Sequence, residues 1–379
     1  MYCIPSLSNS GGTERIVTEK INYLMQTGNY RITVVTTEIT KQKPFYPIDD
    51  NVQIIELNLD FLADFNQNIV CKFINTKINL RKYAKKLKDI VNEHKIDICI
   101  STAGKEIEFL SKLDLNCIKI CELHFSKNIR KIFYTSRKKS KFWKWLGEYR
   151  NYQLIAQTKT LDRLVVLTKH DAALWEKTNR NVSQIYNFST IEHAEILAPL
   201  QNKKAISVGR LEFEKGYDLL IDAWKIVHKV NNEWILEIFG YGSLFEELAM
   251  KIKKEKLDNC VFLRGRTDDV KKVFTDSSIF VLSSLYEGFP MVLLESMSCG
   301  IPVVSFDCES GPREIILDEF GGILVEDKNV EKLATGILEL INDDTLRKTK
   351  GKEAKEKSKE FSKEIIMNQW IKLFSELQK

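Results

Sequence analysis

The sequence predicts an α/β protein made of two Rossmann-like domains, and three observations support this. The chain has 379 residues, which suits two domains of ordinary size. Short apolar segments alternate with helical patterns in both halves, which is typical of parallel sheets covered by helices. Glycine-rich turns separate several of these segments, as at Gly11-Gly12 and at Gly240-Tyr241-Gly242. In the first half, apolar strand segments are predicted at residues 2–7, 31–37, 52–57, 96–101, 117–121 and 162–167.

The domain boundaries follow from changes in local pattern. Residues 1–187 read as the first domain, and the irregular, polar stretch 188–202 reads as a linker into a second domain that ends at residue 361. A lysine- and glutamate-rich stretch, 348–363, predicts a solvated helix. In the C-terminal segment 362–379, residues Lys363–Leu377 predict a last helix that carries Trp370 and Phe374 on one side.

Composition limits the possible classes of protein. The chain is 44% hydrophobic and 29% charged, which is ordinary for a globular protein, and its net charge of +5 is too small to indicate nucleic acid by itself. No apolar run approaches the roughly 20 residues of a membrane span, and no signal peptide is recognisable. The eight cysteines form no C-x-x-C pair, so we expect a reduced, cytoplasmic chain. The cysteines expected to be buried are Cys3, Cys99, Cys117 and Cys121.

Residues 283–314 organise the second half. The apolar run Ile279–Leu282 predicts a buried strand, and a helical pattern over 291–299 follows it after a short break. Pro290 suits the first position of this helix, where a missing N–H is tolerated, and Gly300 ends the helix. Such a helix start presents backbone N–H groups and a favourable dipole, so it predicts an anion site.

Two carboxylates bracket this helix start. Glu287 lies in the turn and Glu295 in the second helical turn, with seven residues between them. An acid beside an anion site is physically odd unless it binds an uncharged group, and sugar hydroxyls fit because a carboxylate accepts their hydrogen bonds. The alternative is a pair of surface acids. Because the turn, the helix, Gly300 and Pro302 all agree, we favour the sugar site.

The segment SSLYEGFPMVLLESMSCGIPVV resembles the signature S-x-x-E-G-F-P-x-x-x-x-E-A-x-x-x-G-x-P-V-V of the retaining glycosyltransferases of family 4. The one departure is Ser296, where alanine is usual. The resemblance implies the GT-B fold, with two Rossmann-like domains facing a central cleft and the C-terminal helix packing back on the first domain. It also implies that Glu287 touches the donor sugar and Glu295 the ribose hydroxyls. The backbone implied to hold the diphosphate comprises Gly288, Phe289, Pro290, Met291 and Val292.

Further segments resemble donor-binding parts of the same family. GRLEFEKG matches G-R-L-x-x-x-K-G, which implies that Arg210 and Lys215 neutralise the diphosphate, although two surface bases are the alternative. The Gly-Gly turn matches a G-G-x-E loop, which implies that Gly12 lies over the phosphates. Arg266 is implied to contact the nucleobase. The turn SGPRE at residues 310–314 is similar to one common in surface-glycan members, which favours a UDP-sugar donor.

His124 follows the predicted strand at 117–121 and is a candidate for the active site. A lone histidine in such a place is more often structural. The resemblance, however, implies a histidine after this strand that reaches the donor sugar, so we expect His124 and Glu287 to be the catalytic pair that orients the sugar.

Residues 127–150 mix basic and aromatic side chains, with Glu148 as the one acid. This composition suits an anionic membrane interface or a lipid diphosphate, and it could equally be a nucleic-acid surface or a solvated face. The resemblance favours the membrane. The residues expected to meet the membrane or acceptor are Arg130, Lys131, Arg137, Lys138, Lys139, Trp143 and Trp145.

The resulting hypothesis is a retaining hexosyltransferase that uses a nucleotide diphosphate sugar and a lipid-linked or oligosaccharide acceptor in surface-polysaccharide synthesis, such as capsule or lipopolysaccharide. We expect peripheral association with the cytoplasmic face of the inner membrane and no nucleic-acid partner. We expect no cofactor and no metal, because Asp268-Asp269 and Asp343-Asp344 read as helix caps. The alternatives are a GT-B nucleotide-sugar epimerase and a non-catalytic lipid-glycan binding protein.

Overall fold

A computed structural model describes residues 1–39, 42–59, 61, 69–129, 141–191, 197–316 and 320–379. The chain divides into two compact units. Unit 1 comprises Met1–Ile185 together with Met367–Lys379, and unit 2 comprises Tyr186–Ile366. Among the described helices, none combines the length and the apolar character that crossing a membrane requires.

The described part of unit 1 contains a seven-stranded parallel sheet in the order β3-β2-β1-β4-β5-β6-β7. In register, Tyr2 pairs with Val34 on one side and Ile100 on the other. The order reverses beside β1, where a doubly wound sheet places its ligands. The strands are β1 (Tyr2–Ile4), β2 (Thr33–Thr36), β3 (Gln53–Glu56), β4 (Ile98–Ser101), β5 (Ile118–Leu123), β6 (Arg163–Val166) and β7 (Val182–Gln184).

Helices cover both faces of this sheet. They are α1 (Gly12–Gln26), α2 (Ile69–Glu93), α3 (Ile107–Leu110), α4 (Lys141–Thr158) and α5 (Lys169–Glu176). One core cluster joins Tyr83 of α2, Leu154 of α4 and Trp175 of α5 to Cys121 of β5. The next residue of β5, Glu122, points to the opposite face, where it meets α1.

Unit 2 contains, in its described residues, a six-stranded parallel sheet in the order β10-β9-β8-β11-β12-β13. Its strands are β8 (Lys204–Val208), β9 (Ile235–Phe239), β10 (Val261–Gly265), β11 (Ile279–Leu282), β12 (Val303–Phe306) and β13 (Gly322–Val325). Its helices are α6 (Tyr217–Val230), α7 (Phe245–Lys254), α8 (Val270–Thr275), α9 (Met291–Ser298), α10 (Pro312–Ile315), α11 (Val330–Asn342) and α12 (Asp344–Lys359). The predicted alternation of strands and helices around parallel sheets is therefore confirmed in both units.

The last helix, α13 (Lys363–Leu377), begins in unit 2, and from Met367 onward its residues belong to unit 1. Trp370 and Phe374 are both buried, as the pattern predicted for one side of this helix. Phe374 packs edge-on against Tyr30, with ring centroids 6.1 Å apart. The chain thus returns to its first unit, as the resemblance implied.

Three local expectations are corrected. The helix α12 is not simply solvated, because Gly351, Ala354 and Ser358 are buried along one face. A Cβ on Gly351 would lie 2.5 Å from the Gly300 carbonyl oxygen, so small residues let this helix pack closely behind α9. Pro290 immediately precedes α9 instead of opening it. Cys117 is half-buried, because it stands just before the start of β5.

Candidate functional site

The helix α9 starts at the carboxyl end of β11, as predicted. Pro290 has φ −75° and ψ 93°, an extended conformation that turns the chain into the helix. The N–H groups of a first helical turn have no partners within the helix, so the start of α9 can donate to an anion. Gly311, with φ +100°, packs on Pro290 so closely that a Cβ would lie 2.5 Å from the proline Cδ. The turn before α10 therefore fixes the backbone of the helix start.

Lys215 and Glu287 form an ion pair beside this helix start. The Lys215 Nζ lies 2.7 Å from Glu287 Oε1, and the two side chains are 17% and 11% exposed. The Ser283 hydroxyl donates to the Lys215 carbonyl at 2.8 Å. The Leu285 N–H donates to the Glu214 carbonyl at 2.8 Å. These backbone-directed bonds tie the loop after β8 to the loop after β11, so both groups are held in place.

Gly216 makes this close approach possible. It has φ +58°, and a Cβ there would lie 2.2 Å from the Ser283 carbonyl oxygen. A side chain at this position would force the two loops apart. In the predicted motif, the glycine after Lys215 is therefore required for steric reasons, in addition to the charge that the lysine supplies.

Two buried groups near Glu287 were not anticipated from the sequence. Burial raises the pKa of the Cys308 thiol, and the negative charge of Glu287 raises it further. Burial likewise raises the pKa of Tyr217, with a smaller contribution in the same direction from Glu287. Both groups therefore stay neutral at physiological pH, and neither adds a charge beside the Lys215–Glu287 pair.

Arg210 and Arg266 lie on loops after β8 and β10. The Arg210 guanidinium is largely exposed and its Nη2 lies 2.8 Å from Glu214 Oε1, so it pairs with a different acid from Lys215. Arg266 is exposed, with its guanidinium carbon 5.8 Å from the Tyr241 ring centroid. The structure therefore brings Lys215 and Glu287 together, while the two arginines remain at the surface and available to a ligand.

Glu295 is 3% exposed and is tied to the segment that opens unit 2. The Thr190 hydroxyl donates to Glu295 Oε1 at 2.5 Å. The Ser189 and Ser298 hydroxyls lie 2.8 Å apart. The sequence predicted this segment as a polar linker and missed both contacts, because their partners are more than a hundred residues away. The implied ribose contact of Glu295 stays a prediction.

Phe289 belongs to an aromatic cluster that anchors the start of α9. Its ring centroid lies 5.5 Å from Tyr186 and 5.9 Å from Phe361. The Tyr186 hydroxyl donates to Glu314 Oε2 at 2.9 Å, and burial together with this carboxylate raises the tyrosine pKa. The Phe289 side chain is thus buried in unit 2, which leaves its backbone for the predicted diphosphate contact. Gly288, Met291 and Val292 are half-buried around it.

In unit 1, Gly12 is the first residue of α1, and Gly11 precedes it in an extended conformation. A Cβ on Gly12 would meet no atom within 4 Å, whereas one on Gly11 would lie 2.2 Å from Glu14 Oε2. The Glu14 carboxylate is the end of a flexible side chain that can move aside, so protein packing requires a glycine at neither position. The predicted role of Gly12 depends on close approach by a ligand, and the space beside its backbone is open to one.

His124 directly follows β5, with its side chain 6% exposed. Its Nε2 lies 3.2 Å from Glu122 Oε1, and Lys20 Nζ lies 2.7 Å from both oxygens of the same carboxylate. Burial lowers the pKa of His124, Glu122 opposes that effect and Lys20 reinforces it. Neither Lys20 nor Glu122 was singled out from the sequence. The sequence signal that could have identified Lys20 is its position within the apolar stripe of α1, between Ile16 and Leu24.

Helix α4 carries four exposed aromatic residues on one side: Phe142, Trp145, Tyr149 and Tyr152. The Trp145 and Tyr149 rings stack, with centroids 5.6 Å apart and 8° between their planes. Trp143 points elsewhere and is half-buried. The predicted contacts that lie outside the described residues are Arg130, Lys131, Arg137, Lys138 and Lys139.

Comparison with known proteins places these features in context. Residues 188–357 match the profile of the family described as glycosyl transferases group 1. An uncharacterized glycosyltransferase of Haemophilus influenzae is 30% identical over 97% of this chain and 98% of its own length. The amylovoran biosynthesis glycosyltransferase AmsD of Erwinia amylovora is 29% identical over 98% of this chain and 97% of its own length.

A third relative and one solved structure extend the comparison. An α-1,4-N-acetyl-D-galactosaminyltransferase of Campylobacter jejuni, named for an undecaprenol diphosphate-linked acceptor, is 26% identical over 98% of this chain and 96% of its own length. The crystal structure of an S. aureus TarM variant with UDP has a TM-score of 0.77 at 18% identity, covering 98% of this chain and 99% of that one. This structural likeness shows the fold.

Proposed function

Because this chain belongs to the group 1 glycosyl transferases, we propose that it moves a sugar, with retention of configuration, from a nucleotide diphosphate sugar to a lipid-linked glycan acceptor. The predicted family and its GT-B fold are confirmed by the matches given above. The observation that carries the proposal is the Lys215–Glu287 pair at the start of α9. It places a cation, an acid and a helix dipole at one point of unit 2.

The proposed reaction breaks the bond between the anomeric carbon and the leaving diphosphate. Negative charge grows on the diphosphate, and Lys215 and the N–H groups at the start of α9 would stabilise it. Arg210 would add a bidentate contact by leaving Glu214. Because these groups are held before reaction, they need little rearrangement as the charge develops.

Positive charge grows on the sugar at the same time. Glu287 would oppose that charge and accept hydrogen bonds from sugar hydroxyls, and the leaving phosphate would take the proton of the acceptor hydroxyl. This assignment requires no dedicated base. Glu287 and His124 therefore act by orienting the sugar in the proposed mechanism.

We propose that the reaction needs neither a metal ion nor a cofactor. Two aspartates that could be suspected of metal binding have structural tasks. Asp269 accepts the Lys272 N–H at 2.9 Å, and Asp343 accepts the Leu346 N–H at 2.8 Å, so both cap helices. The cationic groups of unit 2 supply the charge that a metal would otherwise bring to a diphosphate.

A UDP-sugar is the proposed donor, and a glycan on a lipid diphosphate is the proposed acceptor. UDP is bound in the TarM variant of similar fold, and the Campylobacter relative is named for an undecaprenol diphosphate acceptor. The exposed aromatic side of α4 supports peripheral contact with the cytoplasmic face of a membrane, because aromatic rings with flanking cations suit that interface. AmsD, named for amylovoran biosynthesis, supports a role in surface-polysaccharide synthesis.

The test is a screen of nucleotide sugars for thermal stabilisation, followed by transfer assays with the donor that stabilises the protein. The assay contains EDTA and undecaprenyl diphosphate-linked acceptors, and NMR of the product reports the anomeric configuration. We expect transfer without metal to give an α-linked product from an α-linked donor. A product formed from donor alone would instead indicate an epimerase, and failure to bind any nucleotide sugar would indicate a glycan-binding protein.

A further inference from the structure

A buried ion pair joins α1 to β5 in unit 1. The Lys20 and Glu122 side chains are 1% and 0% exposed, and the ammonium donates to both carboxylate oxygens at 2.7 Å. Burying two charges has a large desolvation cost, and well-packed apolar residues often serve stability as well or better. The flanking strand residues, Cys121 and Leu123, are apolar and buried. The pair therefore calls for an explanation beyond the stability of the sheet.

His124 supplies that explanation, because it lies against the same carboxylate. Its Nε2 is 3.2 Å from Glu122 Oε1, the oxygen that also accepts from Lys20. Within the described residues this Nε2 makes no hydrogen bond. Since Lys20 already neutralises the carboxylate, Glu122 does not need an imidazolium as its counter-ion.

Tyr2 and Trp370 also pack around the Lys20–Glu122 pair, and neither adds a charge to it. Tyr2 of β1 also faces it, and burial and the charge of Glu122 raise the tyrosine pKa, so the phenol stays neutral. From α13, the Trp370 ring covers the ammonium, with its centroid 3.4 Å from Lys20 Nζ. This cation–π contact stabilises the charged lysine and keeps water from the pair. The charged groups facing His124 are thus Lys20 and Glu122, and burial with Lys20 lowers the pKa of the imidazole.

We propose that Lys20 is a positioning residue that neutralises Glu122 and thereby keeps His124 a neutral imidazole, an inference that rests on the proposed role of His124 in sugar transfer. A neutral imidazole has one donor and one acceptor nitrogen, and because Nε2 is buried against Glu122, Nδ1 would be the nitrogen that meets a sugar hydroxyl. An imidazolium would instead place a positive charge near an anomeric carbon that itself becomes positive. Keeping His124 neutral therefore favours the transition state over the ground state.

The first test is a histidine NMR titration, which needs no substrate. The chain has five histidines, and the His124 signal is assigned by its loss in His124→Gln. In Lys20→Met the buried carboxylate loses its ammonium, so the pKa of His124 should rise. In Glu122→Gln the anion is gone, and the pKa of His124 should fall. In the double variant Lys20→Met/Glu122→Gln both charges are absent, and the signal should titrate below its position in Lys20→Met.

The second test is the pH profile of transfer. The acid limb of kcat should move to higher pH in Lys20→Met and return in the double variant, while the donor KM stays within about twofold, because the proposed effect concerns the transition state. If Lys20→Met fails to fold, Lys20→Gln takes its place, and the expected rise in the pKa of His124 is the same. An unchanged His124 titration in both single variants would overturn the proposal, even if the protein proves to be an active glycosyltransferase. Shifted titrations without any transfer would instead count against the proposed function alone.

Discussion

The Lys215 ammonium and the Glu287 carboxylate are 2.7 Å apart, so a cation predicted to hold the donor diphosphate is the ion partner of an acid predicted to touch the donor sugar. The residues predicted to bind the diphosphate and the sugar are therefore in direct contact with each other. A diphosphate that binds Lys215 must share the ammonium with Glu287 or replace it. We therefore expect binding of a nucleotide at Lys215 and positioning of Glu287 to be coupled through this pair.

The first prediction concerns Glu287→Gln. This change removes the anion that competes for Lys215 and repels the diphosphate, so UDP should bind tighter, by up to about tenfold for a partly screened charge pair. Transfer should nevertheless fall by about a hundredfold or more, since the charge opposite the reacting sugar is lost. Isothermal titration with UDP and a transfer assay measure the two effects.

The matched control for this prediction is Glu233→Gln. Glu233 forms an exposed ion pair with Lys203 elsewhere in unit 2, so its loss should change neither quantity. Weaker UDP binding together with full transfer in Glu287→Gln would show that Glu287 is not part of the site.

The second prediction concerns the hydrogen bond from Thr190 to Glu295. Thr190→Val keeps the shape of the side chain but removes a donor to a carboxylate that is 3% exposed. We expect the free energy of unfolding to fall by about 1.5–3 kcal/mol, the usual contribution of a hydrogen bond to a charged group. Thr190→Ser keeps the hydroxyl and is the control. Equal denaturation midpoints for the two variants would contradict the assigned importance of this bond.

Sequence periodicity was sufficient to predict the strands and helices that define the fold. The strand Ile279–Leu282 and the helix Lys363–Leu377 have the predicted bounds, because a run of apolar residues and a periodic apolar stripe are local signals. The buried face of α12 was missed because its buried positions are small residues such as Gly351 and Ala354 between many lysines and glutamates.

The candidate site was predictable in its motifs but not in its pairings. The residue types of the loops after β8 and β11 identified Lys215 and Glu287 separately. Their ion pair spans 72 residues, and the Lys20–Glu122 bond spans 102. Such contacts depend on strand order in the sheets, which a single sequence does not specify. The exposed aromatic side of α4 extends beyond the predicted segment because Tyr152 follows it at helical spacing.

The third prediction concerns that side of α4. The double variant Trp145→Ser/Tyr149→Ser should bind vesicles containing anionic lipid at least about tenfold more weakly, because each buried aromatic ring contributes more than 1 kcal/mol of apolar transfer free energy. Co-sedimentation with vesicles measures the partition. The control is Met250→Ser, an exposed apolar residue of α7 in unit 2. Equal partition of the wild type and both variants would refute membrane contact through α4.

The fourth prediction concerns the pH dependence of stability at Lys20. Burial lowers the pKa of Lys20 to about 8, with Glu122 opposing the effect. Between about pH 8 and the ordinary lysine value, the unfolded chain holds a proton that the folded chain has lost. The contribution of Lys20 to the free energy of unfolding should therefore become more favourable as pH rises, by up to about 1.4 kcal/mol per pH unit.

Lys20→Arg provides the comparison, because a guanidinium does not titrate in this range. Urea unfolding of both proteins from pH 7 to pH 10 gives the difference in free energy at each pH, in which the other titrating groups cancel. The difference should change in favour of the wild type above about pH 8. A difference that stays constant over this range would show that Lys20 keeps its proton when folded.

The most direct test of the site is the structure of this protein crystallised with UDP. We expect a phosphate oxygen within hydrogen-bond distance of Lys215 Nζ and of the backbone at the start of α9, with Glu287 turned toward the position of the sugar. A complex in which the diphosphate lies elsewhere and the Lys215–Glu287 pair is unchanged would contradict this expectation.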